Sequence, residues 1–146
     1  MNYTRDDLTK MVPLHDTLVG IDSDGCVFDS MGIKQRDCFH PEIIRTWGLE
    51  AIEPALRETA EFVNLYSRDR GSNRFIALLK VFELLPSHPG SVGAELPPTG
   101  SLRSFIHSGD PITNEGLRKR VDASGDPALK QVLTWSLIIN RVVEEK

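Results

Sequence analysis

Residues 18–30 read Leu18-Val19-Gly20-Ile21-Asp22-Ser23-Asp24-Gly25-Cys26-Val27-Phe28-Asp29-Ser30. Thr17 to Asp22 is a short apolar run with β-branched residues between turn-prone segments, the pattern of a buried strand. Asp22 stands at its C-terminal end, where open α/β sheets place their active sites. Ser23-Asp24-Gly25 is the turn that leaves the strand. Asp24 follows Asp22 by two residues, so both carboxylates face one cleft once the chain turns. Gly25 lets the backbone turn sharply and approach a ligand. Two neighbouring carboxylates repel each other, and a bound cation relieves that repulsion.

Outward from this stretch the pattern is helical. On the N-terminal side, Thr4 caps a short helix with Asp6 and Asp7 in its first turn, ended by Pro13. On the C-terminal side, Met31 to Phe39 reads as a helix interrupted near Pro41. Pro41 opens a second helix, which Gly48 closes. Pro54 opens another to about Arg70, with Gly71 as its stop and Ser72 as the next cap. There Phe75, Leu78, Leu79 and Phe82 fall on one face. Pro86 ends that helix, and a loop about fifteen residues long follows to Gly100. Leu102, Phe105 and Ile106 mark a further turn or two, and Asn114 caps a helix to about Ala123. Asp126-Pro127 is a cap followed by proline at the first helical position. The helix it starts carries Leu129, Val132, Leu133, Leu137 and Val142.

A single strand has no partner for its backbone N–H and C=O groups. The expected organisation is therefore residues 1–30 as the first piece of an α/β core and residues 31–146 as a mainly helical region. On this reading the chain stops before the remaining core strands, is mostly α with one core strand, and is inactive alone.

Composition narrows the classes. The 146 residues carry 17 Lys+Arg against 21 Asp+Glu, a net charge of −4, which argues against non-specific nucleic-acid binding. Apolar runs such as Ile76–Leu79 are far too short to span a bilayer, and Met1 to Lys10 shows no secretory signal. Cys26 and Cys38 make neither a disulfide framework nor a zinc site. The default compartment is cytoplasmic.

An apolar strand followed by Asp22-x-Asp24-Gly25-x-x-x-Asp29 resembles motif I of the haloacid dehalogenase (HAD) superfamily. Asp29-Ser30 after Phe28 adds to the likeness with members whose helical cap is inserted directly after the motif. The resemblance implies a Rossmann-type α/β parent fold with a helical cap. It implies Asp22 as nucleophile, forming an aspartyl-phosphate, and Asp24 as general acid/base. Both would serve at the Mg²⁺ site, Asp24 there through its backbone carbonyl. The second Asp favours phosphoryl transfer over dehalogenation. The implied activity is Mg²⁺-dependent hydrolysis of a small phosphorylated metabolite; phosphonate hydrolysis and phosphomutase chemistry share the motif. Ser23 and Cys26 are mild departures. The Ser/Thr strand, the Lys and the acidic pair of the later core motifs have no counterpart here. An EF-hand loop would need further oxygen ligands where Val27 and Phe28 stand.

Around Gly71 lie Arg68, Arg70, Asn73 and Arg74. In this family cap residues read the leaving group, so Arg74, Asn73 and Arg70 are the candidate substrate-binding residues; the plainer reading is a solvated helix end. Cys38-Phe39-His40 reads as a packed Cys beside a surface His. His15 and His107 have no nucleophile nearby. Trp47 and Trp135 read as packing residues. The alternative from another class is a non-catalytic helical module that binds a partner.

Overall fold

The computed structural model describes residues 4–12, 14–17, 19–22, 27, 28 and 30–145. Helix α1 spans Arg5–Thr9, α2 Ser30–Ile33, α3 His40–Trp47, α4 Glu53–Glu61, α5 Arg74–Leu84, α6 Gly100–Ile106, α7 Asn114–Ser124 and α8 Pro127–Glu144. π-helical turns follow α2 (Lys34–Phe39) and α4 (Phe62–Tyr66). The protein is mostly helical, as expected.

The expected strand is a correction. Its described residues, Thr17 and Val19 to Asp22, have no regular structure, and no strand occurs among the described residues. Val19 and Ile21 are 76% and 73% exposed. β-propensity takes effect only when a neighbouring strand accepts the backbone hydrogen bonds, and none is described here. The N-terminal helix is also shorter than the pattern suggested. Its cap is reciprocal: Asp7 N donates to Thr4 Oγ1 at 3.2 Å, and Thr4 N donates to the Asp7 carboxylate at 2.8 Å. Pro13 lies outside the described residues, as does the Ser23-Asp24-Gly25 turn.

Pro41 does not interrupt its helix. α2, the first π-turn and α3 run on from Ser30 to Trp47. In the π-turn the bonds reach back five residues, as from His40 N–H to the Gln35 carbonyl. In that pattern the N–H that proline lacks would have met the Arg36 carbonyl. Arg57 Nη1 on α4 donates to this carbonyl instead, at 3.2 Å. Gly48 ends α3 as expected, with φ 65°, a left-handed conformation that glycine adopts without steric cost.

Two caps sit one residue from their expected places. Asn73, not Ser72, caps α5, its Oδ1 accepting from Phe75 N at 2.9 Å. Thr113, not Asn114, caps α7, its Oγ1 accepting from Gly116 N at 3.1 Å. Asp126 caps α8 as read, accepting from the N–H groups of Ala128 and Leu129. The loop after Pro86 is less irregular than expected. It holds short 3-10 turns at Leu85–Ser87 and Pro89–Ser91, and Ser91 is buried.

The helices close a ring. α3 packs on α4 and α8, α4 on α5, α5 on α6, and α6 on α8, while α7 lies along α8. Leu56, Phe75, Leu78, Phe105, Leu117, Trp135 and Ile139 fill the interior and are essentially inaccessible. The expected apolar face Phe75, Leu78, Leu79, Phe82 is buried throughout. Each such side chain contributes about 1.5–3 kcal/mol of burial, and the buried set is drawn from α4, α5, α6, α7 and α8 together. Among the described residues no helix is long and apolar enough to cross a membrane.

Gly116 on α7 is buried, and a Cβ there would stand 2.0 Å from the Pro111 carbonyl oxygen. Glycine to alanine inside a helix ordinarily stabilises by about 1 kcal/mol. At Gly116 the sign reverses. Gly116→Ala should cost about 1–3 kcal/mol, read as a lower midpoint in urea unfolding; an unchanged or raised midpoint would contradict the close approach of α7 to residues 111–113.

Candidate functional site

The residues expected to act separate into two regions. Asp22 lies in the irregular, exposed N-terminal stretch. Asp24 lies outside the described residues. Among the described residues no three His, Cys, Asp or Glu side chains gather as a metal site. The donor type fits Mg²⁺, since carboxylate oxygens are its usual protein ligands.

The second region is a cavity of about 270 Å³ walled by α2, the π-turn after it, α3, the turn 71–72, α5 and α8. Met31, Gln35, Phe39 and Ile43 line one wall at intervals of four along the continuous helix. Arg74 lines another, with Trp135 opposite in sequence on α8. Asp22 is not part of this wall.

Arg74 is the sequence candidate that the fold brings to the cavity. Its Nη1 donates to the Ser136 carbonyl and Oγ at 3.3 Å and to Asn140 Oδ1 at 2.7 Å. The guanidinium also lies over the Phe39 ring, 5.6 Å from its centroid. These partners are all neutral, and no carboxylate pairs with Arg74 among the described residues. Burial lowers its pKa from the ordinary arginine value, yet a guanidinium keeps its charge at neutral pH. Arg74 thus brings a positive charge to the cavity lining, and it also borders a groove with Lys34, Asn140 and Glu144.

Asn73 and Arg70 are placed differently. Asn73 is exposed, and both ends of its amide are used, Oδ1 in the α5 cap and Nδ2 donating to the Ile112 carbonyl at 2.8 Å. Arg70 is exposed in the turn before Gly71.

Other cavity residues were not legible as site residues. Among the described residues four buried side-chain atoms lack a hydrogen-bond partner: Gln35 Oε1, Ser72 Oγ, Trp135 Nε1 and His40 Nε2. Gln35, Ser72 and Trp135 all line the cavity. Gln35 is 6% exposed and Trp135 1%. A usable signal for Gln35 existed: it is the polar member of the otherwise apolar Met31–Ile43 stripe.

The Cys38-Phe39-His40 expectation is half corrected. Cys38 is buried and free, as read, but His40 is not a surface residue; it is 1% exposed. The continuous helix turns it inward, behind a surface groove lined by Arg36, Asp37, Arg57 and Glu61. Burial first, then the nearby Arg57, pull its pKa down to about 4; Glu61 opposes this, and Arg36 adds to it. His40 is thus neutral in the folded chain. Trp47 and Trp135 are packing residues as expected: Trp47 meets Phe82 edge-on at 5.0 Å and Trp135 at 6.0 Å.

The low His40 value has a stability consequence. From its ordinary 6.5 down to about 4, the unfolded chain binds a proton that the folded chain refuses. Stability is complete above pH 6.5 and falls as pH drops toward 4, by about 3 kcal/mol in total. Thermal unfolding should show this loss beginning between pH 6.5 and 5, above the range where carboxylates titrate. His40→Gln should flatten the curve in that interval; an equal slope in the variant would assign the loss elsewhere.

No protein-family model matches this chain, and no curated protein or solved structure matches it either.

Proposed function

We propose that the chain belongs to a HAD-like, Mg²⁺-dependent phosphohydrolase acting on a small phosphorylated metabolite, with residues 31–146 as its mainly helical cap region. The observation that carries this reading is the order of parts. An apolar, β-prone segment ending in Asp22-x-Asp24-Gly25 leads directly into a helical bundle at Ser30. Exposure of Val19 and Ile21 supports it, since apolar β-branched side chains at a strand position call for a sheet to cover them. Arg74, half-buried without a carboxylate partner, supports a cap surface that meets an anionic substrate.

In this reading the Asp22 carboxylate attacks phosphorus, the alcohol leaves, and Asp24 protonates the leaving oxygen. Asp24 then takes a proton from the water that hydrolyses the aspartyl-phosphate. Mg²⁺ supplies neutralisation of the charge on the phosphoryl oxygens. Arg74 stands for recognition of the leaving group.

Turnover by the full gene product tests this. It should hydrolyse phosphate esters with Mg²⁺ and not with EDTA. Asp22→Asn should reduce turnover at least about a thousandfold. No Mg²⁺-dependent turnover across a broad ester panel would favour the helical interaction module instead.

A further inference from the structure

Three of the four unpartnered buried polar atoms described sit around one cavity, and that clustering asks for an occupant. An unsatisfied buried polar atom costs about 1–3 kcal/mol, and native chains keep few of them. Here Gln35 Oε1 is an acceptor, Trp135 Nε1 a donor, and Ser72 Oγ either. They come from three separate parts of the chain: the π-turn, the turn before α5, and α8. Arg74 lines the same cavity, and among the described residues its guanidinium has only neutral hydrogen-bond partners.

We propose that this cavity binds a small hydroxylated organic anion. The anionic oxygens, carboxylate or phosphate, sit against Arg74, and a ligand hydroxyl donates to Gln35 Oε1. Ser72 Oγ takes whichever role the ligand leaves open. Rotation about one side-chain bond carries the Gln35 amide oxygen or the Ser72 hydroxyl toward the ligand. A cation is disfavoured by Arg74, and a purely apolar guest leaves Gln35 and Ser72 unsatisfied. The volume, about 270 Å³, lies just below the usual range for drug-sized ligand pockets and suits only a small metabolite. This assignment does not depend on the chemistry at Asp22, because it concerns binding to the helical body alone.

The buried Trp135 gives the readout. The 146-residue chain, in EDTA, is titrated with lactate, glycerol 3-phosphate, inorganic phosphate and glycerol, following tryptophan fluorescence and heat of binding. Saturable binding of lactate or glycerol 3-phosphate is expected, and none of glycerol; saturation by one and not the other tells carboxylate from phosphate. Arg74→Gln and Gln35→Leu should each weaken that binding about tenfold or more. Gln35→Leu keeps the test clear of folding defects, because removing an unpartnered acceptor should leave the empty protein at least as resistant to heat. Failure of both anions to saturate, equal binding of glycerol, or undiminished affinity in Gln35→Leu would each overturn the proposal. Phosphate-ester turnover by the full gene product is a separate result that none of these outcomes decides.

Discussion

Trp135 sets the arrangement of the helices around it. Its indole is met edge-on by Phe39 at 6.0 Å and at a tilt by Trp47 at 6.0 Å, and Trp47 passes the contact to Phe82. One side chain on α8 thereby fixes the long helix that ends at Trp47 and, through it, α5. Arg74 makes the same connection by polar means, reaching from α5 to Ser136 and Asn140 on α8. The aromatic contact is the larger contribution, since a buried indole removes 150–250 Å² from water as a general measure. Arg74 adds direction, because a guanidinium holding two residues one helical turn apart fixes the rotation of α8 about its own axis.

This constraint explains why parts of the fold were readable and others were not. Asp126-Pro127, Gly48 and the Phe75–Phe82 face are decided locally, by capping, by φ and by period, and local patterns carried them. Pro41 was decided at a distance. Its missing donor is replaced by Arg57, which no window around Pro41 contains. The caps of α5 and α7 were displaced by one residue for a related reason. Neighbouring residues were all able to cap, and tertiary bonds chose among them: Ser136 Oγ donates to Asn114 Oδ1 at 2.6 Å, which leaves Thr113 to cap.

The segment before Asp22 shows the opposite failure, where the pattern was right for a strand but the described residues hold no sheet. Composition identifies a segment that can pair; it does not provide the pair. The site divides the same way. Arg74 was visible because a charged residue at a helix start stands out. Gln35 carried only the signal of one polar residue on an apolar stripe, and Trp135 none, because a Trp in a core helix looks like ordinary packing. Only the three-dimensional arrangement shows that their polar atoms are unsatisfied together.

The contrast with His40 separates a site from a packing compromise. His40 also has a buried nitrogen without a partner, but its surroundings account for it. Burial and the neighbouring arginines remove its proton, and a neutral imidazole tolerates an unpaired nitrogen far better than a buried charge would. No such adjustment is open to the cavity. Trp135 N–H cannot be titrated away, the Gln35 amide is neutral already, and the Arg74 charge persists. What remains is a set of polar side chains, Gln35, Ser72, Trp135 and Arg74, that line one cavity, held there by the same Trp135 and Arg74 contacts that orient α8. The helix packing and the binding capacity are therefore one constraint, and a substitution that relieves the polar mismatch acts on both.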